Sequence, residues 1–148
     1  MERTHTPLVG SIALGLLLAA GAAFVLRMGQ SDVDWCRGVL NALTKGKTSV
    51  SRQIDWEHLT ALGVNVGATY RGLPNDQERA KYQQTFVQAF AAGFQHTGGD
   101  VNRFNHWRVL THQGQQVVVA ADYEGKQKVL LMAIPASGQK KLESLQWQ

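Results

Sequence analysis

The chain has 148 residues, a formal charge of +4 from 15 Lys and Arg against 11 Asp and Glu, and one cysteine. A lone cysteine excludes an intramolecular disulfide framework, and no Cys/His spacing suggests a zinc site. The basic residues are scattered, with Lys140-Lys141 the only adjacent pair, so no basic, aromatic-interleaved block marks a nucleic-acid partner.

The run Leu8 to Leu26, LVGSIALGLLLAAGAAFVL, holds no charged residue, Asn or Gln. As a helix it would be about 28 Å long, close to the hydrocarbon thickness of a bilayer. Arg3 and the small residues Ala20-Gly21-Ala22 also satisfy a secretory signal, which is the alternative. An uncleaved anchor stopped by Arg27 fits the full length better. The expected organisation is therefore a membrane segment over 1–27, a connector over 28–32 and one α+β domain over 33–148. The signal-like start favours export, giving a single-pass membrane protein with its domain outside the cytoplasm, or a secreted one after cleavage. Ser11, Gly15, Ala19 and Ala23 form a small-residue stripe that admits self-association through the anchor.

After the connector, Ser31 or Asp32 can cap a helix whose apolar positions Cys36, Val39, Leu40 and Leu43 keep 3.6-residue spacing. On that face Cys36 reads as a small buried hydrophobe. Gly46 ends this helix, and Lys47 to Gln53 reads as a loop. Asp55 is placed to cap a second, shorter helix, with Leu59 and Leu62 facing inward, Gly63 at its end and Ile54 stapled to Leu59. Val64 to Tyr70 suits a short strand or a helical turn. Leu73-Pro74-Asn75-Asp76-Gln77-Glu78 opens a long helix, on which Tyr82, Phe86, Phe90 and Phe94 recur every four residues as one aromatic stripe.

From Asn102 the pattern turns to β. Phe104–Leu110, Gln116–Tyr123, Lys126–Ile134 and Lys140–Trp147 read as four strands joined by short turns, hence antiparallel hairpins. The expected fold is a transmembrane helix followed by helices packed on a curved four-stranded antiparallel sheet. This order resembles the NTF2-like, cystatin-like cone superfamily. The segments IDWEHLTALG and GLPNDQERAKYQQTFVQAFAAGF are also similar to the helical half of MlaC-type periplasmic lipid-binding proteins. In that family an acidic–aromatic helix start precedes a helix ending in an F-x-x-x-F-like stripe. The resemblance implies a cone whose wide end is hard to fill.

No nucleophile elbow, phosphate-binding glycine loop or His-x-x-x-His pair is present. His106, Arg108 and His112 would share one face of a regular strand, and His58 and His96 lie elsewhere. No cofactor and no metal site is expected. Trp56, Tyr82, Phe86, Phe90, Trp107 and Tyr123 are the candidate lining of an apolar pocket between helix and sheet. The leading expectation is a non-enzymatic, membrane-tethered domain that binds a lipid, another apolar molecule or a neighbouring membrane protein. The alternatives are a scaffold subunit of an envelope complex and a small NTF2-like enzyme using Asp55 and His58, with Tyr123 as a third candidate.

Overall fold

The computed structural model describes residues 29–148, and the apolar run 8–26 lies outside the described residues. Helix α1 covers 29–44, so the described part of the expected connector is helical. Its apolar positions Val33, Cys36, Val39, Leu40 and Leu43 are all buried, as their spacing requires. The expected loop 47–53 is a 3-10 helix, Thr48–Gln53, that buries Val50. Helix α2 spans Val66–Arg71 and helix α3 spans Asp76–His96. The Asn75 side chain caps α3 by accepting from the Glu78 N–H at 2.9 Å, and the Asn65 side chain does the same for α2 from the Ala68 N–H.

The sheet corrects the expectation of four antiparallel strands. It has six: β1 (Thr60–Ala61), β2 (Val64–Asn65), β3 (Phe104–Gln113), β4 (Gln116–Tyr123), β5 (Lys126–Pro135) and β6 (Ser144–Trp147). Their order is β2-β1-β6-β5-β4-β3, with β1 parallel to β6 and every other pair antiparallel. The C-terminal strand slots between β5 and β1, pairing Thr60 with Ser144 and Ala61 with Leu145. The physical reason for the miss is range. Local turn signals report hairpins, whereas this pair joins segments 84 residues apart, and β1 and β2 are too short to show a period of two. Those two-residue strands also replace the expected second helix: Trp56 to His58 form a turn, and β1 follows at Thr60.

The expected transmembrane helix and single-pass placement rest on the run 8–26, outside the described residues, and no described helix takes their place. Among the described residues no helix is long and apolar enough to cross a membrane. The longest, α3, breaks its aromatic stripe with Lys, Gln, Arg and Glu side chains on the other faces, which a hydrocarbon layer does not accept.

One face of the sheet is the inner one. Val119, Met132 and Leu145 stand abreast in register, as do Ala121, Leu130 and Trp147. These residues other than Trp147 join the α1 side chains in one buried cluster. On the opposite face Thr60, Ser144 and Gln146 share hydroxyl and amide hydrogen bonds. Helix α3 approaches the end of α1, where the Ala91 Cβ lies 3.3 Å from the place a Cβ on Gly46 would take.

Candidate functional site

The aromatic stripe of α3 divides between two neighbourhoods. Tyr82 and Phe86 meet the Trp56 indole edge-on, with ring centroids 6.4 and 5.4 Å away. Tyr70 completes that cluster against Trp56 and Tyr82, and its hydroxyl accepts from the Gln83 amide at 3.0 Å. The Trp56 N–H donates to the Ser51 carbonyl at 2.9 Å, so this large ring is buried with its polar atom satisfied. Further along, Phe94 stacks on Phe104, which touches Trp107, Tyr123 and Trp147.

Between the second half of α3 and the sheet runs an open groove of ≈ 1460 Å³. Its floor is Leu40, Leu130 and Leu145, and its walls are Phe90, Gly93 and Phe94 on one side and Phe104, Tyr123 and Trp147 on the other. Gly99 lets the Phe94 wall form, because a Cβ there would stand 2.6 Å from the Phe94 carbonyl oxygen and 2.7 Å from its ring. One mouth is the β1–β2 turn, Leu62-Gly63. Both residues have positive φ, 51° and 82°, the conformation of a tight hairpin turn that normally takes Asn-Gly. Leucine in that conformation is strained, and its side chain is 54% exposed beside the groove.

The other mouth is the β4–β5 turn, and it is where charge enters. Glu124 and Lys128 line it. Glu124 is held by Arg103 at 2.6 Å, and this carboxylate, followed by the Tyr123 hydroxyl, makes the guanidinium hold its proton more tightly than usual. Lys128 makes no ion pair with a described residue; its Nζ sits 5.9 Å from the centre of the Trp147 ring.

The six residues expected to line a pocket are thus distributed. Phe90 and Tyr123 face the groove. Trp56, Tyr82 and Phe86 belong to the packed cluster at the start of α3. Trp107 lines a smaller polar cleft with Arg37, Asn41 and Asn102, its ring 6.0 Å from the Arg37 guanidinium carbon. Sequence reasoning missed Leu62, Phe104, Leu130, Leu145 and Trp147. Period-two alternation places Leu145 and Trp147 on one face of the last strand, which was the available signal. Nothing in the sequence marks Leu62 as a turn residue.

The titratable candidates separate. Asp55 does not cap a helix; both its carboxylate oxygens reach His58 Nδ1, at 3.1 and 3.0 Å, within one turn. Tyr123 lies apart from them in the groove cluster, its hydroxyl accepting from the Asp100 N–H at 3.2 Å. Asp122, on the outer face, takes His106 Nδ1 at 3.3 Å and Arg108 at 3.2 Å. His112 does not join them. Register shifts in β3 place Arg108 opposite Ala120 but His112 opposite Val117, so the two lie on opposite faces. Among the described residues no group of His, Cys, Asp or Glu is arranged to hold a metal ion. Cys36 is wholly buried, and that burial, aided by nearby Asp32, pushes its thiol up to about 12. No protein-family model, curated protein or solved structure matches the chain.

Proposed function

We propose that the chain binds an extended apolar molecule in the groove between the second half of α3 and the inner face of the sheet. The observation that supports this is the uncovered apolar lining. Trp147, at 37% exposed, and Leu62, at 54%, stand open at a site walled by Phe90, Phe94, Phe104 and Tyr123. Large apolar groups left in water at a concave site are the usual mark of a ligand surface. The groove also exceeds the roughly 300–1,000 Å³ of ordinary small-molecule pockets, which suits a long chain better than a compact metabolite. Leu62 adds to the argument, since an apolar side chain stands in a strained turn conformation beside the groove.

Gly93 supplies the test. It lines the groove, and a Cβ added there meets nothing within 4 Å. Gly93→Trp should therefore fill the groove without disturbing the core. Native mass spectrometry of the full chain should show an apolar adduct in the wild type and its loss in Gly93→Trp, with melting temperature held or raised. An adduct retained in Gly93→Trp would overturn the groove as the site, and a wild type that takes up no apolar compound would overturn the function.

A further inference from the structure

The two mouths of the groove differ in charge, and a long occupant must present its ends to both. Beside the β1–β2 turn the lining residues Leu62, Gly63, Leu145 and Gln146 carry no charge. At the β4–β5 end stand Glu124 and Lys128. Glu124 would repel an anion, but Arg103 already holds its carboxylate at 2.6 Å. The negative end of α3 is quieted too. Its last carbonyls accept from the N–H groups of Thr97, Gly98 and Gly99 at 3.2, 3.0 and 2.9 Å, so few are left free to oppose an anion. Of the two charged side chains that line this mouth, Lys128 makes no ion pair with a described side chain, and the Trp147 ring beside it is the groove's own wall.

We infer that the occupant is an amphiphile with a single anionic head, its chain lying along Phe90, Phe94 and Leu130 and its head at Lys128. This rests on the reading of the groove as an apolar binding site and adds the ligand's polarity and direction. A charge-assisted contact at the edge of an apolar site is stronger than a neutral one and selects the charged head.

The test uses one chain length with two heads. Purified full-length protein is dialysed to equilibrium against radiolabelled oleate and, separately, radiolabelled oleyl alcohol, with Gly93→Trp as the blank for uptake outside the groove. The wild type should hold oleate about tenfold more tightly than the alcohol. Lys128→Met should abolish that preference by weakening oleate alone, leaving the alcohol unchanged. Equal affinity for both in the wild type would overturn the anionic head while leaving the apolar site standing. A Lys128→Met variant that loses both equally would also overturn it, because Lys128 would then act by packing on Trp147. Binding of neither above the blank would overturn the underlying reading itself.

Discussion

The two halves of α3 carry the same residue types at the same spacing and the same partial burial, yet meet different neighbours. Tyr82 and Phe86 close against Trp56, which is only 6% exposed. Phe90 and Phe94, one and two turns on, wall a groove. Periodicity tells which face of a helix turns inward; it does not tell whether the opposing surface reaches it. Here the first half meets a turn that projects a tryptophan toward it. The second half instead faces Leu40, Leu130 and Leu145 across open space.

The largest effect should come from the closed half. Trp56→Ala removes a buried ring with three aromatic neighbours and should cost about 3–5 kcal/mol in urea unfolding. Phe94→Ala should cost only about 1 kcal/mol, because its ring already borders open space and leaves little new cavity. Phe94→Ala should instead weaken ligand uptake, which Trp56→Ala, if still folded, should not do through the groove. Equal losses of stability at the two positions would break the distinction between the halves.

Next in size is an alkaline effect that reports how well α1 is sealed. The Cys36 thiol has an ordinary value of 9.0 in the unfolded chain and about 12 when folded. The folded state therefore favours the neutral thiol. Its contribution is complete below pH 9.0 and is lost as pH rises toward about 12, at about 1.4 kcal/mol per pH unit. Comparing wild type with Cys36→Ala cancels the other groups that titrate there. Between pH 8 and 10.5 the wild type should lose about 2 kcal/mol relative to the variant. A constant difference would mean that water reaches Cys36 and that α1 is not closed.

A smaller effect of opposite sign belongs to the open half. Gly93→Ala, in the interior of α3 with nothing near its new Cβ, should raise stability by about 0.5–1 kcal/mol. Unlike Gly93→Trp it should leave binding nearly intact. Loss of stability would show that the groove wall is packed there, and the contrast between the two halves of α3 would fail.

The contrast also shows what was legible. The buried face of helix α1, the Asn75–Glu78 start of α3 and three of the long strands follow from spacing and caps that act over a few residues, but Ser31 and Asp32, expected to cap α1, lie inside it. The parallel pairing of Thr60 and Ala61 with Ser144 and Leu145 does not, since its hydrogen bonds join distant segments through two residues each. The groove was half legible. Its α3 wall was written in the aromatic stripe, but Leu62 reached the mouth through a positive-φ turn that leucine disfavours, and Phe104 and Trp147 through cross-strand stacking. Residues chosen for being aromatic, such as Trp56, fell in the closed half because size alone does not separate core from lining.

The smallest expected effect concerns the turn that delivers Trp56 to the closed half. An Asp55 that capped a helix would accept a backbone N–H, and Ser would replace it far better than Ala, by about 1 kcal/mol. In the structure its carboxylate instead meets the His58 ring, which is 69% exposed. The turn is held by backbone: the Asp55 N–H donates to the Leu142 carbonyl at 3.0 Å and the His58 N–H to the Asp55 carbonyl at 3.3 Å. Both bonds survive any side-chain change. Asp55→Ser and Asp55→Ala should therefore agree closely, each losing no more than about 0.5 kcal/mol, as an exposed ion pair contributes little. His58→Ala should lose as little, and the double variant no more than either alone. A clear advantage of Ser over Ala in urea unfolding would restore the capping role and move the turn toward the helix that its sequence suggests.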